Sequence, residues 1–268
     1  MTTQKSAPLN APDMETINLG TGGFGYSTVS IDTFNNIGTQ FCLVTALMDV
    51  SPSTFDFIGD MERTLVDVAK ACKLAPEIDT FAFRVMRFAR DFDEIHGFMP
   101  LAQVDEDQYI GKLSNHNLGG STSLNDACIN SMDASRSESE RLNKQDIDVN
   151  AVMFVITDGL NNSSRHNMSD VQKAFKKLTA QESCLSFLPI LVGVNVGQPG
   201  DGDYEKEAIR QGLEQFQKEA GFAQYIPLPD ASPKTLAKLG KFITKSMSSS
   251  SQALQNRQPS KPIDINAI

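Results

Sequence analysis

The sequence predicts an α/β fold: a doubly wound, three-layer sandwich with a mostly parallel central sheet and one antiparallel edge strand. Three observations carry this. Two almost wholly apolar runs, residues 41–48 and 151–156, end at Asp49 and, after Thr157, at Asp158. Such runs read as strands covered on both faces, the mark of a parallel sheet. Between the apolar runs stand stretches with apolar residues at steps of three and four, the period of an amphipathic helix. A chain of 268 residues can also bury a substantial core without disulfides.

Residues 1–37 are polar and rich in Thr, Asn and Gly, and read as a flexible or partner-ordered arm. The glycines between Gly20 and Gly25 do not make a phosphate loop, because no strand precedes them and no Gly-Lys-Ser/Thr follows. Residues 29–34 read as a short edge strand. The folded domain is expected over 38–247, beginning with a strand at 40–48. The helix after it places Ile58, Met61, Leu65, Val68 and Cys72 on one face. Ser53 and Asp56 resemble a capping pair at its start. Residues 80–89 read as a strand whose antiparallel partner is 95–104, giving an edge hairpin. The run Asp105-Glu106-Asp107 is a solvated turn, and His96, His116 and His166 are lone surface or loop histidines without metal-ligand spacing.

Gly119 and Gly120 allow positive φ and close backbone approach before the next helix. Residues 133–148 are nearly devoid of apolar side chains and read as an exposed helix end and connection. Residues 151–157 form a central strand. Residues 160–167 form a polar loop, with Ser169 as the cap of a helix presenting Val171, Ala174, Phe175 and Leu178. Residues 184–194 are a further buried strand. Asp201, Asp203 and Glu205 suit a helix N-terminus better than a calcium loop, since no distal Glu follows. The next helix buries Ile209, Leu213, Phe216 and Ala220. A short strand follows at 223–228. The last helix starts at Ser232-Pro233 with Leu236, Leu239, Ile243 and Met247 inward. Residues 248–268, rich in Ser, Gln and Pro, read as a flexible docking tail.

Composition narrows the function. Formal net charge is −9, which argues against a nucleic-acid-binding face. Cys42, Cys72, Cys128 and Cys184 are scattered, form no CxxC and read as buried free thiols, which points to a reducing, cytoplasmic setting. The first residues hold no apolar leader, and no apolar run approaches the roughly 20 residues of a membrane span.

The candidate site lies where open α/β sheets bind ligands, at the carboxyl ends of the strands. Asp49-Val50-Ser51-Pro52-Ser53 offers a carboxylate and two hydroxyls at i, i+2 and i+4, which is hard-oxygen chemistry suited to Mg²⁺ or a similar cation. Gly119-Gly120-Ser121-Thr122-Ser123-Leu124-Asn125-Asp126-Ala127 opens a second helix, and Thr157-Asp158-Gly159 closes a second strand. In this order and at these separations, the three stretches resemble a von Willebrand factor A domain, a Rossmann-like fold, with its metal-ion-dependent adhesion site (MIDAS). With no leader or span in view, the resemblance is to the cytosolic, prokaryotic or phage-like type.

The resemblance implies a metal set of Asp49, Ser51, Ser53, Thr122 and Asp158. Ser51 and Ser53 would bind the metal directly, and Thr122 directly or through water. Asp49 and Asp158 would orient and neutralise. Residue types alone leave Ser53 and Thr122 open as helix caps. Asp126 is expected to face the helix or the loop backbone rather than the metal. Pro52 is unusual for the family, and Thr54 stands where it often has Met; neither change removes a ligand oxygen. The expected cation is Mg²⁺, or Mn²⁺ or Ca²⁺. Its expected partner is a protein that supplies an Asp or Glu. The implied role is thus metal-dependent protein binding, not catalysis, with no nucleic acid and no membrane. A structural subunit of a viral or bacterial assembly, docked through residues 1–37 and 248–268, is the alternative. A Mg²⁺-dependent phosphohydrolase fits less well, because no persuasive base or nucleophile stands beside the site.

Overall fold

In a computed structural model, residues 14–19, 25–35, 37–180 and 182–267 are described. Eight strands make one sheet in the order β1-β2-β5-β4-β3-β6-β7-β8. The strands are β1 (Met14–Asn18), β2 (Gly25–Val29), β3 (Gln40–Asp49), β4 (Phe81–Phe88), β5 (Phe92–Pro100), β6 (Asp148–Thr157), β7 (Ser186–Gly193) and β8 (Gln224–Pro227). Pairing is parallel from β4 through β3, β6 and β7 to β8. It is antiparallel within β4–β5 and β1–β2. The fold is the expected three-layer α/β sandwich.

Among the described residues the helices are α1 (Ile31–Asn35), α2 (Ile58–Lys73), α3 (Leu124–Asn143), α4 (Met168–Thr179), α5 (Tyr204–Ala220) and α6 (Pro233–Gln255). Helices α2 and α6 pack together on one face of the sheet, while α3, α4 and α5 line the other. Strands β3 and β6 lie between these layers, so nearly all of their side chains are buried. That explains their largely apolar sequence. Ile58, Met61, Leu65, Val68 and Cys72 are all buried on α2, as their spacing predicts. On α6, Leu236, Leu239, Ile243 and Met247 do the same. All four cysteines are buried and free.

Several local expectations are corrected. Residues 14–19 and 25–35 do not form an arm or an edge strand at 29–34. They add the β1–β2 hairpin to the sheet beyond β5, followed by α1. Gly20, Gly22, Gly23 and residues 1–13 lie outside the described residues. Among the described residues only Thr28↔Phe98 pairs the hairpin with β5 in register. Side chains do the rest. The Ser27 N–H donates to both carboxylate oxygens of Glu94 (2.9 and 3.2 Å), and Glu94 also pairs with the fully buried Arg84. Close approach requires Gly97, where a Cβ would stand 1.9 Å from the Ser27 carbonyl oxygen.

The same hairpin explains the polar half of α3. Residues 133–143 are not an exposed helix end; Asp133, Ser135, Glu138 and Ser139 are buried. Tyr26 and Thr28 hydroxyls donate to the Glu138 carboxylate (3.1 and 2.8 Å), and Arg141 pairs with it at 2.6 Å. A buried charge survives when it is paired and hydrogen-bonded.

Residues 248–267 are likewise folded rather than a loose tail. Helix α6 runs to Gln255, with Ser250 and Ser251 buried. Ser260 then bonds to Asn150 Nδ2 (3.2 Å), Ser186 (2.9 Å) and Ser250 (2.5 Å). Hydroxyls paired across the end of the sheet hold what a polar composition reads as disorder. His96 is buried, not on the surface. Its Nδ1 faces the Gly97 carbonyl at 2.8 Å, and its Nε2 meets the Tyr109 hydroxyl at 2.7 Å. A carbonyl only accepts, so Nδ1 carries the proton and Nε2 accepts. Strand β5 starts three residues earlier than expected, because the turn falls at Ala89–Asp91. Helix α4 is capped by Asn167, in a capping box with Asp170, rather than by Ser169.

Candidate metal centre

The register Met48↔Ile156 brings the ends of β3 and β6 side by side. Asp49 closes the first strand, and Asp158 follows the second. Asp49 is 0% exposed. Its Oδ1 accepts the Ser51 N–H at 2.8 Å, and its Oδ2 accepts the Thr157 hydroxyl. The Thr157 hydroxyl in turn accepts the Gly159 N–H at 3.2 Å. Both Asp49 oxygens are therefore held by the protein before anything else arrives.

Pro52–Thr54 forms a single 3₁₀ turn, tied by the Thr54 hydroxyl to the Ser51 carbonyl (2.8 Å). Helix α2 begins later, at Ile58, and has no side-chain cap. Ser53 is thus not a helix cap. Its hydroxyl donates to Asp158 Oδ1 at 2.8 Å. With that proton committed, Ser51 is the donor in the 3.1 Å contact between the Ser51 and Ser53 hydroxyls. Asp49, Ser51, Ser53 and Asp158 form one continuous set.

Thr122 stands beside them, on the second loop, which precedes α3. It is 4% exposed. Its Oγ1 lies 3.9 Å from where a Cβ on Gly159 would stand. It does not cap α3, whose N-terminal position is Ser123 with no side-chain cap bond. Gly119, at φ +86°, turns the loop under Arg90, leaving no room for a Cβ there; Gly120 is not in the left-handed region. Asp126 stays apart, as expected, accepting the N–H groups of Arg165 (2.9 Å) and His166 (3.0 Å) and meeting His166 Nδ1 at 2.8 Å.

The electrostatics are those of two unneutralised acids. Burial pushes the Asp158 carboxyl up to about 6, with the nearby Asp49 carboxylate adding to the rise and the Ser53 hydroxyl opposing it. Burial also raises Asp49, against hydrogen bonds from Thr157 and Ser51. Neither acid has a Lys or Arg ion pair among the described residues. An all-oxygen set of hydroxyls and two mutually repelling carboxylates fits a hard divalent cation, whose charge would relieve both. Among the described residues no three His, Cys, Asp or Glu side chains cluster as a metal site.

Sequence reasoning overlooked Thr157 and Asn162. Thr157 orients Asp49. Asn162 Oδ1 accepts the Thr122 N–H at 2.7 Å. The signal was available: the polar run Asn161-Asn162-Ser163-Ser164 directly after the Asp158 turn can bond to a neighbouring backbone. Around the site, Phe55 is 79% exposed and Leu160 37%.

No family model matches the chain, nor does any curated protein. Solved structures do. The PilB minor pilin of Streptococcus sanguinis matches with a TM-score of 0.55 at 15% identity, over 81% of this chain and 63% of that one. Proximal thread matrix protein 1 from the mussel byssus, solved with a zinc-occupied MIDAS motif, matches at 0.51 and 15%, over 78% and 48%. The pilus adhesin SpaC of Lactobacillus rhamnosus GG, in its open conformation, matches at 0.51 and 13%, over 78% and 30%. The chain thus spans less than two thirds of each of these proteins. At these identities the likeness is one of fold, and the fold is von Willebrand factor A-like.

Proposed function

We propose that the chain is a metal-dependent protein-binding module. Asp49, Ser51, Ser53, Thr122 and Asp158 hold the cation, Mg²⁺ by preference and Mn²⁺ or Ca²⁺ as alternatives. The observation that supports this is a pair of carboxylates, the buried Asp49 and the half-buried Asp158, joined by serine hydroxyls and without a cationic partner among the described residues. A bound divalent cation supplies an electrophilic position for a carboxylate from outside. The protein's own groups prepare that position. Thr157 and the Ser51 N–H orient Asp49, Ser53 orients Asp158, and the exposed Phe55 and Leu160 add apolar contact at the rim. The partner on this reading is a protein presenting an Asp or Glu.

The matched pilins and the thread protein support an adhesive or assembly role of this general kind. The module is read as a binder, not an enzyme. A cytoplasmic location is part of the same proposal, resting on four buried free thiols; among the described residues no helix is long and apolar enough to cross a membrane. Calorimetric titration with Mg²⁺ and Mn²⁺, on wild type and Asp158→Ala in parallel, is the test. Binding to wild type alone is expected. Equal heats for both, or none for wild type, would remove the metal site from the account.

A further inference from the structure

Thr122 does not hold its place through its own loop alone. On one side Ser123 anchors it to the β4–β5 turn, its N–H donating to the Ala89 carbonyl (2.7 Å) and its hydroxyl to the Arg90 carbonyl (2.5 Å). On the other side stands the loop after Asp158. Asn162 Oδ1 accepts the Thr122 N–H at 2.7 Å. The Thr122 carbonyl accepts the N–H groups of Asn162 (2.9 Å) and Ser163 (3.2 Å). Further rungs follow. Ser123 and Ser163 hydroxyls meet at 2.9 Å, the Asp126 N–H donates to the Ser164 hydroxyl at 3.2 Å, and the Asn125 amide donates to the His166 carbonyl at 2.9 Å.

Asn162 is the member of this ladder that grips Thr122 itself, on both its N–H and its C=O. It stands four residues beyond Asp158, so a single residue couples two of the three proposed ligand loops. Asn162 is itself exposed, while Thr122 is buried. A side chain at the surface needs a reason to be committed to a backbone donor inside. Fixing the Thr122 peptide fixes where its hydroxyl stands relative to Asp158 and Gly159.

We infer that Asn162 is a positioning residue of the metal centre: it clamps the Thr122 backbone and thereby sets the affinity for the divalent cation. This rests on the function proposed above. Groups that orient ligands in this way typically carry ten- to a hundredfold of metal affinity.

The test is calorimetry with Mg²⁺ alone, on wild type, Asn162→Ala, Asn162→Asp, Thr122→Ala and the Asn162→Ala/Thr122→Ala double variant, with thermal unfolding in chelator alongside. Asn162→Ala is expected to weaken Mg²⁺ binding by roughly tenfold or more while leaving the metal-free melting temperature nearly unmoved. Asn162→Asp keeps the acceptor oxygen and is expected to bind within a few-fold of wild type. The double variant should bind no more weakly than Thr122→Ala, because the two residues act as one unit. Wild-type affinity in Asn162→Ala overturns the inference and leaves the metal site standing. So do losses that simply add in the double variant, or a drop in metal-free stability with no change in affinity. A wild type that binds no Mg²⁺ overturns both.

Discussion

Replacing Asp158 by Asn should make the metal-free protein more stable, although it disables the proposed site. The Asp158 carboxyl is lifted from 3.8 to about 6 by burial and by Asp49. About two pK units at about 1.4 kcal/mol each leave the folded state bearing roughly 3 kcal/mol once the group ionises. The sign follows from proton binding. Between about pH 4 and 6 the native state holds a proton that the unfolded chain has released, so metal-free stability falls as pH rises through that window. Asparagine carries no charge and keeps an acceptor for the Ser53 hydroxyl. Asp158→Asn in chelator near neutral pH should therefore gain about 1–3 kcal/mol, after some loss of hydrogen-bond strength. For a domain of this size that is roughly 2–4 °C of melting temperature per kcal/mol. Near pH 4 the gain should shrink to roughly half a kcal/mol. Saturating Mg²⁺ should raise the melting temperature of wild type and leave the variant where it was. Differential scanning calorimetry at two pH values, with and without Mg²⁺, reads all of this. A variant less stable than wild type at neutral pH in chelator, or a gain that ignores pH, would refute the electrostatic reasoning.

Two further predictions concern regions away from the metal. Burial holds the His96 imidazole down to about 4, so the unfolded chain binds more protons between about pH 6.5 and 4, and stability is lost as pH falls through that range. The loss should reach about 3 kcal/mol in urea titrations and flatten in His96→Gln; an unchanged acid limb in that variant would assign it to other groups. Gly97→Ala would place a methyl 1.9 Å from the Ser27 carbonyl oxygen. Limited proteolysis should then cleave within the first 30 residues while the rest of the domain stays resistant. Cleavage indistinguishable from wild type would show that the hairpin tolerates the methyl.

The central layer was legible because burial on both faces leaves a plain mark. In β3 and β6 nearly every side chain is buried, and most residues are apolar. The two acids of the proposed site were legible for a related reason: they sit at the ends of β3 and β6, where an Asp after an apolar run stands out. What stayed hidden are surfaces covered by polar groups. Glu138 reads as a solvated helix residue until Tyr26, Thr28 and Arg141 are seen around it. Ser250 and Ser260 read as linker until they are found bonded to each other and to Asn150. His96 looks like a loop histidine until Tyr109 covers it. Tyr26 and Thr28 reach Glu138, Asn150 reaches Ser260 and Tyr109 reaches His96 from other elements, so no pattern within a single segment encodes these partners. Asn162 is intermediate. Its polar neighbourhood hinted at backbone capture, but not that Thr122 would be captured.

The β1–β2 hairpin is synthesised well before the helix that completes its packing. Its anchor Glu138 lies 110 residues beyond Thr28. At about 5–20 residues per second, the ribosome delivers that carboxylate on the order of 10 s after the hairpin. During that interval Tyr26 and Val29 have no α3 to rest on and no completed sheet beside them, so the nascent strands have an open edge. The exposed side chains of β1 (Glu15, Thr16 and Asn18) are polar or charged, which disfavours pairing with a neighbouring nascent chain. Their polarity, which misleads a reading of the folded state, suits the waiting period that precedes it.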